Sequence, residues 1–246
     1  MTERSARDRL IVALDFDTAD EAEALVANLG ETVGYYKVGW QLFIGAGWPY
    51  VQHLLARGKR VFLDLKIGDI DNTVRAALNN MPDEFAGQLE LLTLQGNAAT
   101  VRAAKAGRRG EKPYLLMVTL LSSMDGTDLA ETGAGSDPDV SAWIRQRAKH
   151  ALAAGCEGLI ASGKSVRELR EAFPDTPFLI VTPGIRPQGD ALDEHKRSLT
   201  PYQAIVDGAD LLVVGRPIAR APRPQESATA ILAEIERAVQ DRAGGS

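Results

Sequence analysis

The chain has 246 residues, 45% of them apolar and 25% charged, a composition that excludes a disordered chain and supplies enough apolar surface for a substantial core. Its net charge of -5 and pI near 5.3 leave no basic footprint, so neither nucleic acid nor an anionic membrane is an expected partner. No apolar run approaches the ~20 residues of a membrane span, and MTERSARDRL lacks the apolar core of a secretory signal, so the expected setting is cytoplasmic.

In chain order, short apolar runs fall at 10–14 (LIVAL), 35–39 (YYKVG), 61–65 (VFLDL), 89–94 (LELLTL), 114–121 (YLLMVTLL), 158–161 (GLIA), 178–182 (FLIVT) and 211–215 (LLVVG). Between them lie segments of helical period: Ala22, Leu25, Val26 and Leu29 after the first run, and Ala228, Ile231, Leu232, Ile235 and Val239 after the last. Strands that are apolar along most of their length and alternate with helices pair in parallel, because each crossover buries a helix on the sheet. Eight repeats predict an α/β chain closed as a (β/α)₈ barrel, a TIM barrel, in a single domain over 1–246 with short flexible termini, DRAGGS among them. A doubly wound open sheet is the alternative. Two connections are unusually long, 122–138, with room for a short helix, and 184–200, a solvated insertion or a lid with Gly184 and Gly189 as hinges.

In a parallel barrel the chemistry sits where strands end, and the polar residues of this chain fall there. Asp15 follows the first run, Lys37 lies in the second, Asp64 and Lys66 close the third, and Gln95 follows the fourth. Ser123 ends the fifth, Pro183 follows the seventh and Arg216 the eighth. Period-two alternation puts Phe62, Asp64 and Lys66 on one face of the third strand, and Val61, Leu63 and Leu65 on the other. Lysine between carboxylates stays charged and can act as a general acid. Simpler readings stand beside these: an ion pair plugging the barrel end for Asp64 and Lys66, a helix N-cap for Asp69, a snorkelling side chain for Lys37, and a cap for Ser123.

Across the mouth, TPGIRPQGD at 182–190 and VVGRP at 213–217 supply glycines, Gln188 and Arg216, the position where barrels commonly hold a phosphate. A lone Cys156 excludes an intrachain disulfide and reads as core filler. His53, His150 and His195 are scattered without metal-ligand spacing, and no metal is expected. His195 and DEHKR at 193–197 read as loop surface.

VALD (12–15), YKVG (36–39), FLDLKIGDIDNT (62–73), LLSSMD (120–125), VTPGIRPQGD (181–190), KRSLTP (196–201) and VVGRPI (213–218), in this order, resemble the orotidine 5′-phosphate decarboxylase family over nearly the whole chain. The resemblance implies a cofactor-free reaction of de novo pyrimidine biosynthesis, in which orotidine 5′-monophosphate loses its C6 carboxylate to give UMP and carbon dioxide. It implies a charged network of Lys37, Asp64, Lys66 and Asp69, with Lys66 protonating C6 and Asp64 facing the carboxylate. It assigns Asp15 and Lys37 to the ribose hydroxyls, Ser123 to the pyrimidine, and Gln188, Gly215 and Arg216 to the phosphate, with Pro183 in the substrate site. Asp69, Ile70 and Thr73 would reach the neighbouring subunit's site, implying a homodimer.

Departures from the family pattern lie beside the charges. GDIDNT stands where HDIPNT is usual, placing Gly68 for His and Asp71 for Pro, and Gln95 takes the place of a frequent His. The rival enzyme readings are a magnesium-dependent sugar-phosphate decarboxylase or aldolase sharing DxKxxD, and a Schiff-base aldolase through Lys66. A noncatalytic nucleotide-binding protein is the rival outside catalysis.

Overall fold

A computed structural model describes residues 4–85, 87–187 and 198–244. The first half runs α1 (Ala6–Arg9), β1 (Leu10–Ala13), α2 (Ala19–Leu29), β2 (Tyr35–Gly39), α3 (Trp40–Ala56), β3 (Arg60–Ile67), α4 (Asp71–Asn79), β4 (Leu91–Leu94) and α5 (Ala98–Gly107). The second runs β5 (Tyr114–Val118), α6 (Gly126–Glu131), α7 (Val140–Ala153), β6 (Gly158–Ile160), α8 (Ser165–Ala172), β7 (Leu179–Thr182), α9 (Pro201–Val206), β8 (Leu211–Val214), α10 (Arg216–Ala219) and α11 (Pro224–Gly244). Every neighbouring pair of strands is parallel, and β8 pairs back to β1, closing the barrel in sequence order.

Alternation along the strands builds two apolar layers. Ile11, Ala13, Tyr35, Phe62, Leu91, Leu116, Leu179, Val181, Leu211 and Val213 pack on one another inside the barrel. Their chain neighbours, among them Val12, Tyr36, Leu63, Leu92, Met117, Ile180 and Leu212, face the helices in a larger cluster. A barrel of this size has just enough interior for side chains, so its lumen is a packed core and any working site must lie at an end.

The helices form where expected. Thr18 caps α2 and exchanges bonds with Glu21, and the predicted stripe Ala22, Leu25, Val26, Leu29 is buried. In α11, Ala228, Ile231 and Ile235 are buried, while Leu232 and Val239 pack partly against the core. The short helix foreseen in the first long connection is α6, capped by Asp125.

Several boundaries differ from expectation, among them the end of β3, which runs on to Ile67. β5 stops at Val118, short of the run to 121, because the Thr119 hydroxyl bonds the Ile160 carbonyl at 2.8 Å and the chain turns away from the ladder. Ser123 therefore sits in the turn beyond the strand and does not end it. β4 begins at Leu91 instead of 89. The segment DRAGGS, expected to fray, is helical as far as Gly244, continuing α11.

Candidate active site

At the C-terminal end of the barrel lies a cavity of about 280 Å³. Asp15, Lys37, Asp64, Lys66, Ser123, Pro183, Gly215 and Arg216, drawn from six of the eight strand ends, all line it. The strand-end argument thus collected most of the predicted residues in one place.

Its core is a chain of charges across three strands. The Lys37 ammonium lies 2.8 Å from Asp15 Oδ1 and 3.6 Å from Asp64 Oδ2. Lys66 Nζ donates to Asp64 Oδ1 at 2.9 Å. Burial would push the Asp64 carboxyl up, but the Lys37 and Lys66 charges, with hydrogen bonds from Lys66 and Thr93, hold it below the usual carboxylate value. Burial would likewise discharge Lys37, and the charges of Asp15 and Asp64 reverse that, raising it above an ordinary lysine. Asp64 and Lys37 are therefore locked as ions. Close approach needs room: a Cβ at Gly39 would stand 2.9 Å from Lys37 Nζ.

The local backbone explains how Lys66 is aimed. Between Leu63 and Ile67, β3 places three residues opposite the single Thr93 of β4, since Leu63 pairs with Leu92 and Ile67 with Leu94. An excess of two residues keeps the side-chain parity, whereas one would turn Lys66 to the other face. Lys66 absorbs the bulge at φ 47°, the one non-glycine residue with positive φ among the described residues. Such a conformation costs roughly 1–2 kcal/mol for an L-residue and concentrates where the surroundings over-determine it.

Two residues of the site escaped the sequence reading. Thr93, fully buried, donates its hydroxyl to Asp64 Oδ1 at 2.8 Å and accepts the Lys66 backbone N–H at 2.9 Å. Its signal was present: it shares the parity of Leu91, and so faces the lumen, as one polar residue in an apolar strand. Arg186 is buried and, like Arg216, lines the cavity, giving it a second guanidinium. It stands in the quoted segment TPGIRPQGD, where the glycines drew attention from it.

Asp69, Ile70 and Thr73 do not line this cavity. Asp69 is exposed and does not cap α4; its carboxylate accepts the adjacent Ile70 N–H at 2.6 Å, and Ile70 occupies the cap position without a side-chain bond. The cap reading fails because Asp69 lies one residue too early. Gln188, Gly189 and His195 lie outside the described residues. Gly68 has a steric explanation: a Cβ there would run into the backbone carbonyl oxygen of residue 95. Cys156 is buried in the core, where burial pushes its thiol up to about 12, in keeping with a filler role.

A family model, orotidine 5′-phosphate decarboxylase / HUMPS, matches residues 8–231. The chain belongs to this family. It is 44% identical to an orotidine 5′-phosphate decarboxylase of Rhodopseudomonas palustris strain BisB5 over 94% of this chain and 96% of the relative. A namesake from Afipia carboxidovorans is 43% identical over 95% of this chain and 97% of the relative. The crystal structure of orotidine 5′-phosphate decarboxylase from Lactobacillus acidophilus superimposes with a TM-score of 0.78 at 34% identity, covering 93% of this chain and 99% of that one. Family membership accounts for the DxKxxD segment and the closed barrel together.

Proposed function

We propose that this single-domain chain decarboxylates orotidine 5′-monophosphate to UMP and carbon dioxide, as a step of pyrimidine biosynthesis and without a cofactor. The observation that carries the reading is the Lys37–Asp64–Lys66 array, which lines one cavity together with Arg186 and Arg216. Such a lining offers a charged network to the reacting ring and guanidinium groups to the phosphate of one substrate.

The phosphate binds among Gly215, Arg216 and Gln188, with Arg186 adding charge; Pro183 walls the site, Ser123 holds the pyrimidine, and Asp15 with Lys37 holds the ribose hydroxyls. The C6–carboxylate bond breaks and carbon dioxide leaves. The electron pair left on C6 takes a proton from Lys66 Nζ, which recovers one from solvent. The developing negative charge at C6 meets an ammonium already oriented by Asp64, so little reorganisation remains to be made at the transition state. Remote phosphate binding supplies the energy that holds the ring against this array.

The magnesium-dependent alternative is disfavoured by the same geometry. Asp64 Oδ1 already accepts from Lys66 and Thr93, and Oδ2 faces Lys37, so ammonium groups stand where a dication would need free oxygens. Lys66 Nζ is likewise engaged by Asp64 Oδ1 at 2.9 Å, an arrangement that does not suit a Schiff-base nucleophile. A cytoplasmic setting belongs to the same reading, since the substrate is a soluble nucleotide.

The homodimer is part of the proposal. Ile70 is 73% exposed, and Trp40 and Ile44, one helical turn apart on α3, are 51% and 78% exposed. All three stem from the C-terminal ends of the adjacent strands β2 and β3, an apolar patch beside Asp69 that suits a second copy of the chain. Asp69, Ile70 and Thr73 would then complete the partner's cavity.

The test is the fall in ultraviolet absorbance of orotidine 5′-monophosphate with purified protein, with and without EDTA. Turnover that survives chelation is expected; no turnover, or loss of all of it with EDTA, overturns the reading. Mixing Lys66→Ala and Asp69→Ala chains after unfolding and refolding should restore about a quarter of wild-type activity, because half the dimers would own one intact site. No recovery would assign Asp69 to its own chain's site.

A further inference from the structure

We infer that Thr93 is a positioning residue for the decarboxylation: its hydroxyl bridges the backbone of Lys66 and the carboxylate of Asp64, and so sets the geometry of the proton donor. This rests on the proposed activity, but its geometry stands independently. Thr93 is the single residue that β4 sets against the three-residue bulge of β3. There the ladder is broken, and a part-buried Lys66 N–H left without a ladder carbonyl would cost free energy. The Thr93 hydroxyl fills that place, accepting the N–H at 2.9 Å. Its one proton then points at Asp64 Oδ1, 2.8 Å away, the same oxygen that accepts Lys66 Nζ.

One hydroxyl therefore ties both ends of Lys66. The backbone is held in a left-handed conformation that lysine would otherwise leave, and the ammonium is held through the carboxylate it binds. Valine is nearly isosteric with threonine but can do neither, leaving an unpaired N–H and an Asp64 oxygen short of one donor. The ionisable groups around Asp64 are Lys66 on β3, Lys37 on β2 and, through Lys37, Asp15 after β1; β4 contributes no charge. Thr93 is thus the neutral member that orients a charged set. A purely structural threonine, present to satisfy the bulge, would affect stability and leave the ionisation of Asp64 and the chemical step alone.

Thr93→Val and Thr93→Ser decide between these. Thr93→Val is expected to lower kcat about 10- to 100-fold, with KM changed less than about threefold, because one hydrogen bond to a charged group is lost while the phosphate contacts persist. The ¹³C titration of the Asp64 carboxyl, assigned with Asp64→Asn, should move upward, and the acid limb of kcat/KM with it. Thr93→Ser, which keeps the hydroxyl, should restore both readouts. Either readout unmoved in Thr93→Val overturns the inference. So does a Thr93→Ser protein as impaired as the valine variant, which would assign the effect to the methyl group. Should Thr93→Val fail to fold, Thr93→Cys, of similar size with a weak thiol donor, is read in the same way. If wild-type protein shows no turnover, the decarboxylase reading fails, and the Asp64 titration alone decides whether Thr93 tunes this carboxylate.

Discussion

Both ends of the barrel are rich in ion pairs, yet those at the exits line a cavity of about 280 Å³, whereas Arg108 and Lys112 at the entrances border one of only about 10 Å³. At the strand entrances, carboxylates just upstream of the strands pair with cations. Asp8 meets Arg60, which also stacks over the Tyr35 ring; Glu90 meets Lys112, Glu157 meets Arg108, and Asp210 meets Arg170. Several also bond backbone, as Asp210 does with the Ile180 N–H at 2.8 Å and Glu157 with the Leu115 N–H at 2.9 Å. At the strand exits, the Lys37, Asp64 and Lys66 charges line empty volume, and one of them sits on a strained backbone. Charge alone therefore does not mark a site. Charge held beside unfilled space does, because at the entrances the same pairs simply close the barrel.

The sharpest way to break this comparison is one substitution at each end. Lys66→Ala is expected to lower kcat by about 10²- to 10⁴-fold, the range for removing a general acid, with little change in melting temperature. Steady-state kinetics beside a thermal melt checks both halves. Asp210→Ala should do the reverse. It removes the carboxylate from an Arg170 that keeps its Gly208 and Phe178 carbonyl bonds and leaves the Ile180 N–H unpaired, so unfolding free energy should fall by about 1–3 kcal/mol in urea titrations while kcat stays near wild type. If Asp210→Ala costs activity in the folded protein, the division of labour between the two ends is wrong.

A smaller effect tests whether the mouth charges also stabilise. Because the carboxyl of Asp64 is held below the ordinary value of 3.8, its contribution is fully present above that value and is lost as pH falls through the lower folded value. The stability gap between wild type and Asp64→Asn should therefore be constant near neutral pH and shrink in acid. Denaturant curves across that range measure it; a gap that widens in acid would contradict the sign. Smallest of all, Lys66→Gly should be about 1 kcal/mol more stable than Lys66→Ala, because glycine adopts φ 47° without the steric cost. Equal stabilities would mean that the bulge relaxes once the lysine is gone.

Much of this was legible beforehand because strand patterning is local. All eight apolar runs are strands, and polar residues at six of the eight strand ends mark the mouth, since a parallel barrel can expose its strand ends on one face only. Thr93 was missed because its role exists only opposite a bulge, and a bulge is a mismatch between two strands, absent from either alone. Asp69 was harder for the opposite reason: helix-cap chemistry and a reach beyond its own barrel both suit an aspartate just before a helix, and only the register of α4 removed the cap.

The sequence by itself determined the barrel, its two-layered strands, the inventory of charges at the mouth and the family segments that order them. Only the tertiary structure decided which charges touch, that the backbone at residue 95 leaves room only for glycine at Gly68, and that Lys66 owes its aim to Thr93. The reason is physical: periodicity is written along one chain, whereas distances of 3 Å between strands depend on register, which closure of the whole barrel sets.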